Sequence, residues 1–163
     1  MRPRPERSPL DASDSATRQQ IEALLNEQPF AVLCTQGDQQ PYGSLIAYAV
    51  GPDLRSLTFA TPRATHKYEL LCVCDAVALV IDSRSTFPDA MMKVEAITAT
   101  GRAVQLEPGA ALEYWAILLT QRHRQLSGFV RAPSTALFRI DIVQYLHVSR
   151  FQEVRQWIPG SHR

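Results

Sequence analysis

The chain has 163 residues, 45% hydrophobic and 20% charged, which suits one domain that buries a core without disulfides or metals and excludes a disordered chain. Seventeen Lys and Arg stand against sixteen Asp and Glu, a formal charge of +1, so no global field draws it to nucleic acid or to anionic lipid. Any anion site is therefore local, and no apolar run approaches the ~20 residues of a membrane-spanning helix.

The opening stretch, "MRPRPERSPLDASDS", is polar and proline-rich without the order of a secretion signal. It reads as a mobile arm over residues 1–15, leaving 16–163 as a single domain. Ser15 or Thr17 then caps a short amphipathic helix whose Ile21, Leu24 and Leu25 share a face and which stops before Pro29. Phe30 to Gln36 and Tyr42 to Val50 are β-rich runs on either side of Gly37-Asp38, a predicted hairpin closed by Gly51-Pro52-Asp53. "SLTFA", Ser56 to Ala60, begins a third strand, a turn opens a helix through about Leu71, and Ala76 to Asp82 is apolar enough to be a strand buried on both faces.

After a polar loop from Ser83 to Met91, Lys93 to Leu106 is the next strand, in which Gly101 marks a bulge or a close backbone approach. Ala110 to Leu126 carries Leu112, Trp115, Ile117, Leu118 and Leu119 at helical spacing and is the longest predicted helix. Ala136 to Val148 alternates as a long strand, and Val154 to Ile158 adds a short edge strand. Many strands, few helices and links too short for repeated βαβ units predict a mainly β fold, a small antiparallel barrel with helices packed outside. Cys34, Cys72 and Cys74 form an odd set without zinc or dithiol spacing, which predicts a reducing, cytoplasmic setting. His66 alone lies in a motif, while His123, His147 and His162 are scattered, so no metal-ligand pattern appears.

That motif is "FATPRATHKYELL", Phe59 to Leu71. Arg63, His66 and Lys67 crowd a helix start, where the backbone dipole is already positive, each exposed cation costing about 0.3–1 kcal/mol. An anion makes the arrangement favourable, and Thr61 and Thr65 add neutral hydroxyl donors of the kind a phosphate ester receives. The alternative is purely structural: Thr65 caps the helix, Arg63 and Lys67 are solvated, and Glu69 partly balances them.

From Phe30 to about Glu107 the order of elements and the local residues resemble the flavin-binding split-barrel family that includes pyridoxamine 5'-phosphate oxidase. The matching pieces are "QPYGSLIAYAV", "LTFATPRATHK", "DAVALVID" and "ITATGRAV", with Thr61, Thr65 and Lys67 forming a Thr-x-x-x-Thr/Ser-x-Lys pattern. The resemblance implies a homodimer of antiparallel, Greek-key-like split β-barrels with FMN in a groove between subunits. It places Thr61, Arg63, Thr65, His66 and Lys67 at the FMN phosphate, Ala60 and Thr61 near the ring or ribityl chain, and Ser44, Leu45 and Ile46 along the isoalloxazine. Arg84 reaches the flavin pyrimidine edge or the partner subunit, or is simply an exposed loop arginine. The implied activity is two-electron transfer at the flavin, with the protein supplying position and electrostatics.

The chain also departs from that family. Ser44 stands where the oxidase has an arginine and Ala49 where it has a lysine; Ala96 or Glu95 replaces a side-chain amide, and the basic Trp-containing tail is not recognisable in "RFQEVRQWIPGSHR". Losing the cations that hold a phosphorylated substrate implies an FMN-dependent oxidoreductase with a small-molecule substrate other than pyridoxamine phosphate. Three alternatives follow: a flavin- or haem-binding protein without turnover, a deazaflavin-dependent reductase, and a structural dimer with no cofactor. Elsewhere, "QRHRQ" puts cations where a helix end favours them, Tyr114 and Trp115 pack the long helix on the barrel or a second subunit, and Trp157 packs loosely or covers a flavin ring.

Overall fold

A computed structural model describes residues 9–161, with side chains from residue 13. Helix α1 (Pro9–Glu27) begins at its proline, a residue whose fixed φ and missing N–H suit the first helical position. The predicted helix is thus longer than its periodic face: the part of the expected arm from residue 9 to 15 is helical, and the rest lies outside the described residues. Ile21, Leu24 and Leu25 form the buried face, as their spacing predicts.

Strands β1 (Phe30–Gly37) and β2 (Gln40–Ala47) make the expected hairpin. Its two turn residues, Asp38 and Gln39, have φ of 51° and 61°, the left-handed pair whose twist matches the flanking strands. The second run does not continue unbroken to Val50, because Tyr48 separates β2 from β3 (Ala49–Val50). Then come β4 (Ser56–Pro62), α2 (His66–Val73), β5 (Ala76–Asp82), β6 (Ala96–Gln105), α3 (Ala110–Arg122), α4 (Ser127–Arg131), β7 (Thr135–Ser149) and β8 (Glu153–Trp157).

All pairings are antiparallel, in the order β2-β1-β5-β6-β7-β4-β3, with β8 added on β7. β2 and β3 stand at opposite ends of that order yet are one residue apart in the chain. A strand that leaves one end of the sheet and enters the other after a single residue curls the sheet into a barrel split at Tyr48. The mainly β barrel with peripheral helices is therefore as predicted.

Tyr48 is wholly buried at this seam, its hydroxyl 2.8 Å from the carbonyls of Leu25 and Gln28 at the end of α1, and burial pushes its phenol up to about 12. The Arg122 guanidinium lies 4.7 Å over its ring and donates to the same carbonyls at 2.7 and 2.6 Å. Gly101 sits at a register shift between β6 and β7, where a Cβ would come 2.3 Å from the Asp141 carbonyl oxygen, so both the bulge and the close approach are present.

Three expectations are corrected. β5 is not buried on both faces: Val77, Leu79 and Ile81 fill the barrel, while Ala76, Ala78 and Val80 remain half-buried on the outer surface. α3 stops at Arg122 rather than Leu126, because His123 leaves the helix (φ −126°, ψ 77°) to enter the interior with Nε2 2.9 Å from the Tyr48 carbonyl oxygen. The following residues form a 3-10 turn and the unforeseen α4. Trp157 is neither loose nor free to cover a ligand, being 3% exposed and stacked on Tyr145 at 5.8 Å. Trp115 joins a second apolar cluster between α3, α4 and the outer face of β3, β4 and β7, while Tyr114 stays exposed.

Candidate functional site

The Phe59–Leu71 stretch folds as a strand end, a turn and a helix because β4 runs out at Pro62 and Thr65 takes an extended conformation (φ −106°, ψ 150°) that starts α2. Pairing of Thr61 with Ala136 on β7 holds the strand end in place. Alternation along β4 turns Thr61 toward the barrel interior, wholly buried, and Ala60 outward against the helical cluster.

Lys67 Nζ donates to Thr61 Oγ1 at 3.2 Å, Thr61 and Thr65 Oγ1 lie 3.1 Å apart, and Thr65 Oγ1 donates to the Pro62 carbonyl at 2.9 Å. With one proton per hydroxyl, these contacts form a single file of donors from Lys67 through Thr61 and Thr65 to Pro62. Thr65 also accepts the Tyr68 amide at 3.3 Å, so its hydroxyl is fully used as a cap and the structural role foreseen for it is real. What remains unspent is the rest of the Lys67 ammonium and the first amides of α2, which have no partner within the helix. Lys67 faces no carboxylate among the described residues, and burial lowers its pKa from the usual lysine value.

The other cations are disposed differently. His66 Nδ1 lies 3.3 Å from Glu69 Oε2, and its ring meets the edge of Tyr42 at 5.0 Å, which ties β2 to the corner. Arg63 turns away: Nη1 donates to the Tyr68 hydroxyl at 3.2 Å, Nε lies 3.4 Å from the Pro133 carbonyl, and Tyr68 in turn donates to Gln105 Oε1. Tyr42 and Tyr68 were not foreseen. Tyr68 is the third residue of the helix that Thr65 caps, and that position is the signal for its place at the corner. Nothing local announces Tyr42, which reaches the corner only through the hairpin.

On β2, Ser44 pairs with buried Leu33 and so faces inward, and its hydroxyl is buried without a hydrogen-bond partner. Ile46 faces the same way and is part of the core, whereas Leu45 points outward and is 69% exposed. The three cannot present their side chains to one ligand face. Leu45 instead shares an outer groove of about 350 Å³ with Phe30, Val32, Val80 and Arg84, whose Nε pairs with Asp82 at 3.3 Å. The ten expected positions therefore divide. Thr61, Thr65, His66 and Lys67 converge with Arg63 at the rim, Leu45 and Arg84 meet on the outer face, Ser44 and Ile46 point into the barrel, and Ala60 packs under the helices. Neither the outer groove nor two further grooves, of about 430 and 640 Å³, is walled by Thr61, Thr65 or Lys67.

The donor set of the corner fits a phosphate ester, since it combines a desolvated ammonium, hydroxyls and helix-start amides with no carboxylate on the ammonium. A search of curated protein sequences finds no match. Among solved structures, a haem binding protein from Mycobacterium smegmatis is similar at 14% identity and TM-score 0.76, over 98% of this chain and 60% of that one. An FAD-binding protein from Mesorhizobium loti is similar at 18% identity and TM-score 0.66, over 80% and 90% of the two chains. A protein of the pyridoxinephosphate oxidase family from Clostridium acetobutylicum, related to a general stress protein of Bacillus subtilis, gives 13% identity and TM-score 0.71 over 89% and 96%. At these identities the likeness is one of fold, and this chain spans about three fifths of the Mycobacterium smegmatis protein. The model of the pyridoxamine 5'-phosphate oxidase family matches residues 17–149, a span that contains every strand up to β7, the split at Tyr48 and the Thr61–Lys67 corner, and the chain belongs to that family.

Proposed function

We propose that the chain is an FMN-dependent oxidoreductase acting on a small molecule, with the FMN phosphate held at the Thr61–Lys67 corner. The observation that carries this reading is Lys67: a half-buried ammonium tethered to Thr61 at 3.2 Å beside a helix start, with no carboxylate to pair it among the described residues. Bound FMN would supply two-electron redox chemistry. The chain's own residues bind and orient. Lys67 and the first amides of α2 take the phosphate, His66 and Arg63 add charge at the rim, Thr65 holds the helix start in register, and the buried Ser44 hydroxyl offers an unpaired group on the inner side of β2.

Two observations refine the reading. Ser44 faces inward and Ala49 is 3% exposed, so neither position where the oxidase carries a cation presents one, which supports a substrate other than pyridoxamine phosphate. The half-buried outer face of β5, with exposed Leu45 and Val143 near it, is the kind of surface a second subunit covers, and a homodimer would complete a site whose residues divide between the corner and the outer groove. The three free thiols and the absence, among the described residues, of any helix long and apolar enough to cross a membrane are compatible with a cytoplasmic setting.

A second reading, flavin or haem binding without turnover, is favoured by those missing cations together with the similarity to a haem binding protein. The absorbance spectrum of the purified protein separates the two ligands and a deazaflavin. Titration should show one FMN taken up per chain, with Lys67→Ala weakening it at least tenfold; FMN affinity unchanged by Lys67→Ala would sink the assignment. Light scattering should give twice the chain mass, and a monomer at micromolar concentration would remove the shared site.

A further inference from the structure

At the far end of β7 from the Thr61–Lys67 corner, a groove of about 640 Å³ opens between α1, the loop of residues 83–95 and the β7–β8 hairpin. From Ala136, opposite Thr61, to Ser149 in this groove, β7 runs for roughly 40 Å of strand at ~3.3 Å per residue. Lys93, Arg150 and Arg155 supply three cations to its walls, Glu95 and Glu153 two carboxylates, and Phe87 and Met92 an apolar side.

The charges are not evenly matched. Glu153 is shared by Arg150 at 3.6 Å and Arg155 at 4.0 Å, while Lys93 pairs with no carboxylate among the described residues. Glu95 lies between the groove and the interior, with Oε1 3.5 Å from His147 Nε2, too long for a well-formed hydrogen bond. Its backbone is clasped by Ser83, whose hydroxyl accepts the Glu95 amide at 2.9 Å and whose amide donates to the Glu95 carbonyl at 3.0 Å. His147 is 1% exposed, and neither ring nitrogen has a hydrogen-bond partner. A buried imidazole left this way is one proton short of a full ion pair with Glu95. An anion seated on Lys93 and Arg155 favours that proton, because each added negative charge in the groove stabilises a positive one behind it.

We propose that this groove is a second ligand site, for a small organic anion with a flat apolar body such as an aromatic carboxylate or phosphate ester. Its charge rests on Lys93 and Arg155, its body lies against Phe87 and Met92, and His147 takes up a proton as it binds. The volume is that of a small-molecule site. The charged groups that act on His147 are Glu95, just before β6, and Arg155, across the β7–β8 ladder. Imidazole is the side chain among them whose charge changes between pH 6 and 8. Nothing in this proposal depends on the flavin reading.

The test uses 2-naphthoate, a probe whose charge is constant from pH 6 to 8, titrated into the full chain and followed by amide NMR shifts. Saturable shifts should centre on Lys93, Glu95, Ser149 and Arg155, and affinity should rise severalfold from pH 8 to pH 6. Lys93→Glu, at an exposed position, should raise the dissociation constant at least tenfold with a native-like spectrum, while Lys67→Ala should leave it unchanged. His147→Gln should flatten the pH profile, and Glu95→Gln gives the same reading if the first variant unfolds. Shifts centred on Thr61–Lys67, or a dissociation constant indifferent to Lys93→Glu, overturn the site; a flat profile in the unaltered protein overturns the role given to His147.

Discussion

Two clusters in this molecule place a cation at the end of a helix, and they end in opposite ways. At the close of α3, Arg122 donates to three carbonyls, those of Leu25, Asn26 and Gln28, and stacks on Tyr48. Every feature of that guanidinium is answered from within the chain: the acceptors are the open carbonyls at the end of α1, where a positive charge is favoured. At the start of α2 the polarity is reversed. Lys67 sits where the dipole disfavours it, its hydrogen-bond partner among the described residues is the Thr61 hydroxyl, and burial lowers its pKa. The same residue class is thus consumed by architecture in one place and left with spare donors in the other. On the proposed reading, whether the fold itself supplies the acceptor is what separates a binding cation from a structural one.

Substitution at the seam is the severest way to break that contrast. Tyr48→Ala should cost about 3–5 kcal/mol, as for other large buried aromatics, because it opens a cavity and frees the end of α1. Urea unfolding measures it, and a loss below 1 kcal/mol would mean the split is held elsewhere. Arg122→Ala should follow at about 1.5–3 kcal/mol, the range for hydrogen bonds from a charged donor, with FMN uptake per folded chain unchanged. Lys67→Ala should do the reverse. Its unfolding midpoint should stay level or rise slightly, since a desolvated charge is removed, while FMN affinity falls by the tenfold or more given above. If Arg122→Ala lowered FMN affinity as much as Lys67→Ala, the division between the two clusters would fail.

The smallest effect concerns pH. Burial lowers the pKa of His147, outweighing the opposing pull of Glu95. A base whose folded pKa lies below its unfolded value binds fewer protons when folded, so stability is intact above about pH 6.5 and declines as pH falls through the window below it. Thermal midpoints at pH 7.5 and 5.5 should show the decline in the unaltered protein and a shallower one in His147→Gln.

Much of the fold was legible because its signals are local. The hairpin turn signalled by Gly37-Asp38, which the structure centres one residue later on Asp38 and Gln39, the buried face of α1, the long alternation of β7, the bulge at Gly101 and the cap at Thr65 each depend on residues close in the chain. The failures have a common cause. The periodicity of α3 runs past Arg122, and only the distant Tyr48 carbonyl explains why His123 leaves the helix. The apolar run of β5 suggests burial on both faces, but the barrel covers one. Position in the chain puts Ser44, Leu45 and Ile46 side by side, and the pleat then sends them to opposite faces.

By itself the sequence determined the strand-rich class, the helix-start corner of Thr61, Thr65 and Lys67, and the absence of cations at positions 44 and 49, because each is a matter of residue type and near spacing. The tertiary structure alone decided that Arg63 is held at the rim of that corner by Tyr68 and Pro133, that Trp157 closes the core, and that His147 lies buried beside Glu95. Those outcomes depend on which side chains from remote strands supply acceptors and volume, and a pairing between β7 and β4 or β8 leaves no trace in local spacing.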